Sequence, residues 1–187
     1  MGSWTFDPMH TQVEFAAKHL GMMTVRGNFT EVSGSGEIDA ENLENSTVER
    51  VVTIASIQTH NARRDNDLRA STFLDVEHYP TITFRSRTIE PRSSDNYDVT
   101  GDLTIEGVTR EESCDFVRYG EFNDPDTMGH QVAYAADGEV NRKDLGMSFE
   151  MMADGKLIVG NEIKLHIEGE LVETADVQEP VTAGQSA

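Results

Sequence analysis

The chain has a single cysteine, Cys114, so no disulfide can form within it. That residue sits in Ser113-Cys114-Asp115-Phe116-Val117, with Glu111 and Glu112 just before it. Acidic neighbours disfavour a thiolate, so a small packing residue is expected here, not a nucleophile. Lysine is scarce, confined to Lys18, Lys143, Lys156 and Lys164. No apolar run approaches the ~20 residues that a bilayer-crossing helix needs, which argues against stable membrane insertion. The opening residues, Met1-Gly2-Ser3-Trp4-Thr5-Phe6-Asp7, carry neither the basic segment nor the apolar stretch of a secretory leader, and the expected location is cytoplasmic. Catalytic signatures are missing as well. There is no Gly-x-Ser-x-Gly elbow and no glycine-rich phosphate loop; Gly34-Ser35-Gly36 reads as a turn or bulge. The histidines, His10, His19, His60, His78, His130 and His166, show no metal-ligand spacing. Asp124, Asp126 and Asp137 lack the spacing of a calcium loop. Neither a metal nor a cofactor is expected.

What the chain does have is negative charge. Its 34 acidic residues outweigh 15 basic ones, for a net charge of −19. Such a surface repels nucleic acid and anionic membranes. It also suits a protein that must stay hydrated in strong salt, where self-repulsion is screened within roughly 3 Å at 1 M. A salt-loving source is the expectation. With 187 residues, 37% of them hydrophobic, the chain is long enough to bury one real core, and no repeat or second domain is evident.

Period-two alternation recurs almost everywhere, and a sustained helical period hardly appears. Glu162 to Leu171 is the clearest case, with Ile163, Leu165, Ile167 and Leu171 on one face. Gln12 to Lys18 sets Val13, Phe15 and Ala17 inward, and Asp102 to Glu106 repeats the pattern before Gly107. Further strands are expected over Val25–Val32, Gly36–Ala40, Val48–Ile57, Glu112–Phe122 and His130–Val140. One wet face and one buried face per strand is the mark of an antiparallel sheet. Roughly eight to ten strands either split into a sandwich or close into a barrel. Glycines within the strands, such as Gly27, Gly101 and Gly169, favour closure. Short helices are expected at His19–Met23 and Ala62–Ala70, and the polar stretch 174–187 reads as a disordered tail after a domain spanning 1–173.

Four motifs then occur in order. The first is Trp4, Asp7, Pro8 and His10, followed by Lys18-His19 and by Val25, Gly27 and Phe29. The second is Arg64, Asp65, Leu68, Arg69, Phe73, Tyr79 and Pro80. The third is Gly101, Leu103, Thr104, Ile105, Gly107, Val108 and Thr109, and the last is Asn141, Arg142, Asp144 and Gly146. Together they resemble the YceI-like family of lipocalin-type, polyisoprenoid-binding proteins. Thr11 stands where the family usually has serine, and Asp67 where it often has histidine.

The resemblance implies an all-β fold, an antiparallel eight-stranded lipocalin-like barrel with one or two short helices. It also implies a carrier that sequesters or transports a long isoprenoid, a quinone or polyprenyl derivative, and from the family a homodimer. Burial of methylenes would supply the affinity, about 25 cal/mol per Å² of apolar area. The candidate lining residues are Phe15, Ala17, Val25 and Phe29 near the start, then Ile54, Phe73, Ile82, Phe84 and Leu103. Met147, Phe149, Met151, Ile163, Leu165 and Ile167 complete the set, the methionines offering an adaptable surface. A solid core made of the same residues is the competing reading. Head-group candidates are His10, His19, Arg64 and Arg69, set against plain structural roles. Charges at short spacing, Arg64 with Asp65 and Arg69, and Arg142 with Asp144, are expected to form buried or half-buried ion pairs. The alternative function is an isoprenoid-modifying enzyme using His10 or His19 at a barrel mouth.

Overall fold

The computed structural model describes residues 1–39, 41–126 and 129–174. Alternation resolves into one antiparallel sheet rolled shut. Its first strand is broken into β1 (Gly2–Phe6) and β2 (Gln12–His19), its second into β3 (Met23–Phe29) and β4 (Val32–Ile38). The third comprises β5 (Thr47–Thr53) and β6 (Ile57–Gln58), separated by a 3-10 turn at Ile54–Ser56. Then come β7 (Thr81–Pro91), β8 (Asn96–Ile105), β9 (Val108–Asn123) and β10 (His130–Asn141). A small hairpin, β11 (Met152–Ala153) and β12 (Lys156–Leu157), precedes the long β13 (Val159–Glu173).

Pro8 explains the first break, because proline has no N–H to give to a ladder. The others are bends that let long strands wrap. Gly27 permits one of them. It lies opposite Phe15 in the register, and a β-carbon there would stand 2.8 Å from the Gln58 carbonyl oxygen and press into the Phe15 ring. β13 closes the sheet. Its middle pairs with β2, from Ile163↔Ala17 to Glu168↔Gln12, and its end pairs with β1, from Trp4↔Glu173 to Phe6↔Leu171. Its other edge carries β10 along Gln131↔Val172 to Asn141↔Glu162. The outcome is a closed, eight-stranded antiparallel barrel, as expected for the fold class.

Among the described residues, one α-helix is present, α1 (Ala62–Arg69). The helix expected at His19–Met23 is instead a hairpin turn. Leu20 and Gly21 both have positive φ, 54° and 69°, and the Met22 N–H donates to the His19 carbonyl at 3.1 Å. Successive left-handed residues turn a chain back on itself and cannot propagate a right-handed helix. Asn61 caps α1, its side chain accepting the Arg64 N–H at 3.1 Å. Most of the polar tail lies outside the described residues. Thr174, at its start, still donates to the Ser3 carbonyl, at 2.8 Å from its N–H.

The arginines are held differently from expectation. Carbonyl oxygens take the place of the expected carboxylates. Arg64 donates to the Thr59 hydroxyl and carbonyl, both at 2.7 Å, while buried Asp65 accepts the Thr59 N–H at 2.8 Å. Arg69 donates to the carbonyls of Ala55 (3.0 Å) and Ile57 (2.7 Å), fastening α1 across the turn before β6. Arg142, only 2% exposed, donates to the carbonyls of Gly160 (3.0 Å), Met147 (2.9 Å) and Val159 (3.3 Å). Loops at a barrel end leave carbonyls without ladder partners, and a five-donor fork satisfies several at once.

Replacing Arg142 by Met should therefore strand those carbonyls and cost about 2–4 kcal/mol. The exposed Arg85, paired with Glu49 at 2.8 Å, should lose less than about 1 kcal/mol on the same change. Urea denaturation of both variants decides; equal losses would mean that Arg142 does not hold this end together.

Candidate functional site

Within the barrel, inward side chains form two apolar clusters. One, at the end covered by α1, is built on Val13, Phe29, Val52, Ile54, Ile57 and Leu145. The other, toward the start of β1, is built on Trp4, Phe6, Tyr134 and Leu171. A cavity of about 190 Å³ lies along the lumen. Trp4 and Phe6 reach it from β1, Val48 and Arg50 from β5, Cys114 and Phe116 from β9. Val132, Tyr134 and Ala136 of β10 and Leu165, Ile167 and Leu171 of β13 complete much of the wall. The volume falls below the ~300–1,000 Å³ usual for drug-sized ligands, so a bulky occupant would not fit without side chains moving.

Of the charged side chains that border the cavity, Arg50, Glu112, Arg118, Glu121 and Glu139, only Arg50 is buried. Arg50 and Tyr134 belong to strands on opposite sides of the ring: β5 reaches β10 through β7, β8 and β9 one way, and through β4, β1 and β13 the other. Arg50 Nη2 donates to the Tyr134 hydroxyl across the lumen. Its guanidinium carbon lies 4.1 Å from the Phe6 ring centre and 5.5 Å from that of Tyr134. Phe116 stacks on Tyr134 with ring centres 5.3 Å apart. Arg50 is thus a cation packed among aromatic faces, a favourable arrangement for a guanidinium.

Three further groups of the wall, Cys114, Tyr134 and Glu112, are driven toward neutrality, while the hydrogen bond to Asp95 favours the charged form of Arg118. Burial pushes the Cys114 thiol up to about 11, with the Arg50 charge opposing weakly. The Tyr134 phenol is raised too, chiefly by burial, against the pull of Arg50. Glu112 is raised by burial and then by the charge of Asp144.

The sequence-based candidates separate in space. Phe84, Leu103, Leu165 and Ile167 line the cavity. Phe29, Ile54 and Met147 are buried in the α1-end cluster, against which Phe15, Ile82 and Ile163 also pack. Phe73 and Phe149 pack against each other with ring centres 4.5 Å apart and planes tilted by 36°. Ala17 and Val25 are half-buried register partners near the β2–β3 turn, and Met151 is exposed. The head-group candidates stand away from the cavity wall. His10 is exposed at the β1–β2 break, its Nδ1 2.7 Å from Asp7 and 3.4 Å from Glu170. The Asp7 hydrogen bond, with the Glu170 charge, raises its pKa. These three residues bring ligand atoms within 4.8 Å of one another, an arrangement already explained by an imidazolium between two carboxylates. His19 Nδ1 lies 2.9 Å from the Ile158 carbonyl oxygen, and Arg64 and Arg69 are occupied as described.

Among the cavity-lining residues that sequence reasoning missed are Trp4, Phe6, Arg50, Phe116 and Tyr134. A signal existed for one of them. Val48, Arg50, Val52 and Ile54 share a parity, so an inward Ile54 implies an inward Arg50.

Comparison with known proteins is consistent with this architecture. A family profile described as the YceI-like domain matches residues 4–171. A UPF0312 protein of Yersinia pestis is 32% identical over 160 residues, covering 86% of this chain and 81% of the relative. The crystal structure of the Campylobacter jejuni YceI protein superposes with a TM-score of 0.72 at 28% identity, covering 84% of this chain and 90% of that one. A structure described as a polyisoprenoid binding domain from Saccharophagus degradans has a TM-score of 0.69 at 11% identity, covering 93% of this chain and all of that one (100%).

The raised thiol gives a test of the wall. At pH 8, roughly one Cys114 in a thousand should be thiolate, so alkylation by iodoacetamide should be far slower than for a free thiol. The rate should climb about tenfold per pH unit up to about 11. A fast, pH-flat reaction would mean that Cys114 is not enclosed.

Proposed function

The chain belongs to the YceI-like family, and on that premise we propose that it holds a polyisoprenoid inside the barrel and carries or sequesters it without covalent chemistry. The observation that bears most on this reading is the cavity walled by Trp4, Phe6, Phe116, Val132, Leu165, Ile167 and Leu171. An isoprenoid is slender, branched and apolar. It gains about 25 cal/mol for each Å² removed from water, so a few isoprene units suffice for useful affinity without any directional contact. The neighbour described as a polyisoprenoid binding domain supports the same reading.

A quinone or polyprenyl cargo and a transport role are the finer form of the proposal. An overall charge of −19 keeps the protein from adhering to anionic bilayers, which suits a carrier that touches a membrane and leaves. The same charge supports the reading that it works in concentrated salt.

Mass spectrometry of an organic extract from protein purified in high salt without detergent tests the cargo. A stoichiometric isoprenoid is expected. Ala136 is 6% exposed and pairs across the sheet with Ile167 and Phe116; Ala136→Phe should fill the cavity and expel the lipid while leaving the far-ultraviolet circular dichroism unchanged. An empty wild-type extract that stays empty after incubation with added quinone would sink the carrier role, and full retention by Ala136→Phe would place the lipid elsewhere.

A further inference from the structure

Arg50 is 8% exposed, and its Nη1 has no hydrogen-bond partner. Its Nη2 is taken by the Tyr134 hydroxyl and its plane is covered by Phe6, which accounts for the arm and one face of the fork but not for the remaining nitrogen. Among the described residues, no carboxylate forms an ion pair with it, although the chain has acids in abundance. Arg50's charge acts on Cys114 and Tyr134, whereas the cavity-lining Glu112 responds to burial and to Asp144 instead. A buried guanidinium with an unpaired N–H and no counter-ion is costly; an added acceptor would complete it, and an anion would do so most strongly.

We propose that Arg50 is an internal head-group site, and that the cargo is a carboxylate-terminated amphiphile carried with its acid end inside the barrel, against Nη1. A single negative charge matches Arg50, the buried cation of the cavity wall; the other buried arginine, Arg142, is taken up by backbone carbonyls. A carboxylate is flat, small enough for a 190 Å³ cavity, and accepts from a guanidinium along fixed directions. With the Cys114 thiol protonated and the Tyr134 phenol neutral, Arg50 is the buried charge of that wall. The hydrocarbon then runs along Phe84, Leu103 and Leu165 toward the α1 end. This inference rests on the carrier reading above and refines it. The polar end lies at mid-lumen, not beside His10 or His19 at the surface.

Two probes with the same C20 prenyl chain separate these ideas: geranylgeranoic acid and geranylgeraniol. Trp4 is the only tryptophan of the chain, 3% exposed, and lines the cavity, so its fluorescence reports binding directly. With delipidated full-length protein, the acid should bind about tenfold or more tighter than the alcohol. In Arg50→Met, the two should bind within about twofold of each other, because the charge-assisted bond to the acid is removed. Arg50→Lys should retain part of the preference. If Arg50→Met does not fold, Arg50→Gln, polar but neutral, gives the same readout. Equal affinities in the wild type, or a preference that survives removal of the charge, would overturn the head-group site and leave the carrier reading intact. Failure of both probes to bind would remove the carrier reading and the site together.

Discussion

Everything inside this protein follows from how β13 closes the sheet. An antiparallel sheet this long has two edges, and an exposed edge invites pairing with another chain. Here a fifteen-residue strand takes β10 on one side and the two halves of the first strand on the other, which shuts the ring through β1; toward α1, β3 meets the short β6 only at Asn28↔Gln58 and Phe29↔Ile57. Sharing β13 between β1 and β2 requires the first strand to step at Asp7–Gln12, and proline at position 8 makes that step cheap. Once the ring shuts at eight strands, its radius is fixed, and the interior is just wide enough for side chains or for one narrow ligand.

The interior is consequently a matter of volume. At the α1 end, large side chains from several strands meet: Phe15 and Phe29 lie with ring centres 5.6 Å apart, with Ile54, Ile57 and Leu145 essentially without solvent contact. Further along, the register brings glycine and alanine to the inner face, at Gly138, Gly169 and Ala136, and space remains. Tyr134 reaches into that space only because Gly169 is opposite; a β-carbon there would come within 2.7 Å of the phenol oxygen. Arg50 meets Tyr134 from the far wall, so the brace across the lumen depends on a glycine in a third strand.

The arginines show how one residue type serves two ends. Arg64, Arg69 and Arg142 donate chiefly to backbone carbonyl oxygens near the α1 end of the barrel, and so tie α1 and the β10–β13 connection into place. Arg50 sits on a strand, where backbone carbonyls are already used in the ladder, and only a phenol and aromatic faces are in reach. The chemistry of the side chain is the same in all four. Its surroundings decide whether it is a clamp or an unfinished site.

Alternation along the chain was enough to set most of the strands and their inward parity; the glycines favoured closure, and the eight-stranded barrel came from the family resemblance. The β13 pattern of Ile163, Leu165, Ile167 and Leu171 was legible because period two is a local property that needs no knowledge of partners. Thr59 as the common partner of Arg64 and Asp65 was not legible, because acceptors on an adjacent loop have no sequence periodicity. Nor was the helix at His19–Met23 correctly read, since the apolar run there gave no sign of two left-handed residues. The position of the cavity belonged to the tertiary structure alone. Parity states which way a side chain points, but empty space is what remains after side chains from opposite strands have met. For that reason Phe29 and Ile54 ended in solid packing, while Trp4, Arg50 and Tyr134, distant in sequence, came to share one wall.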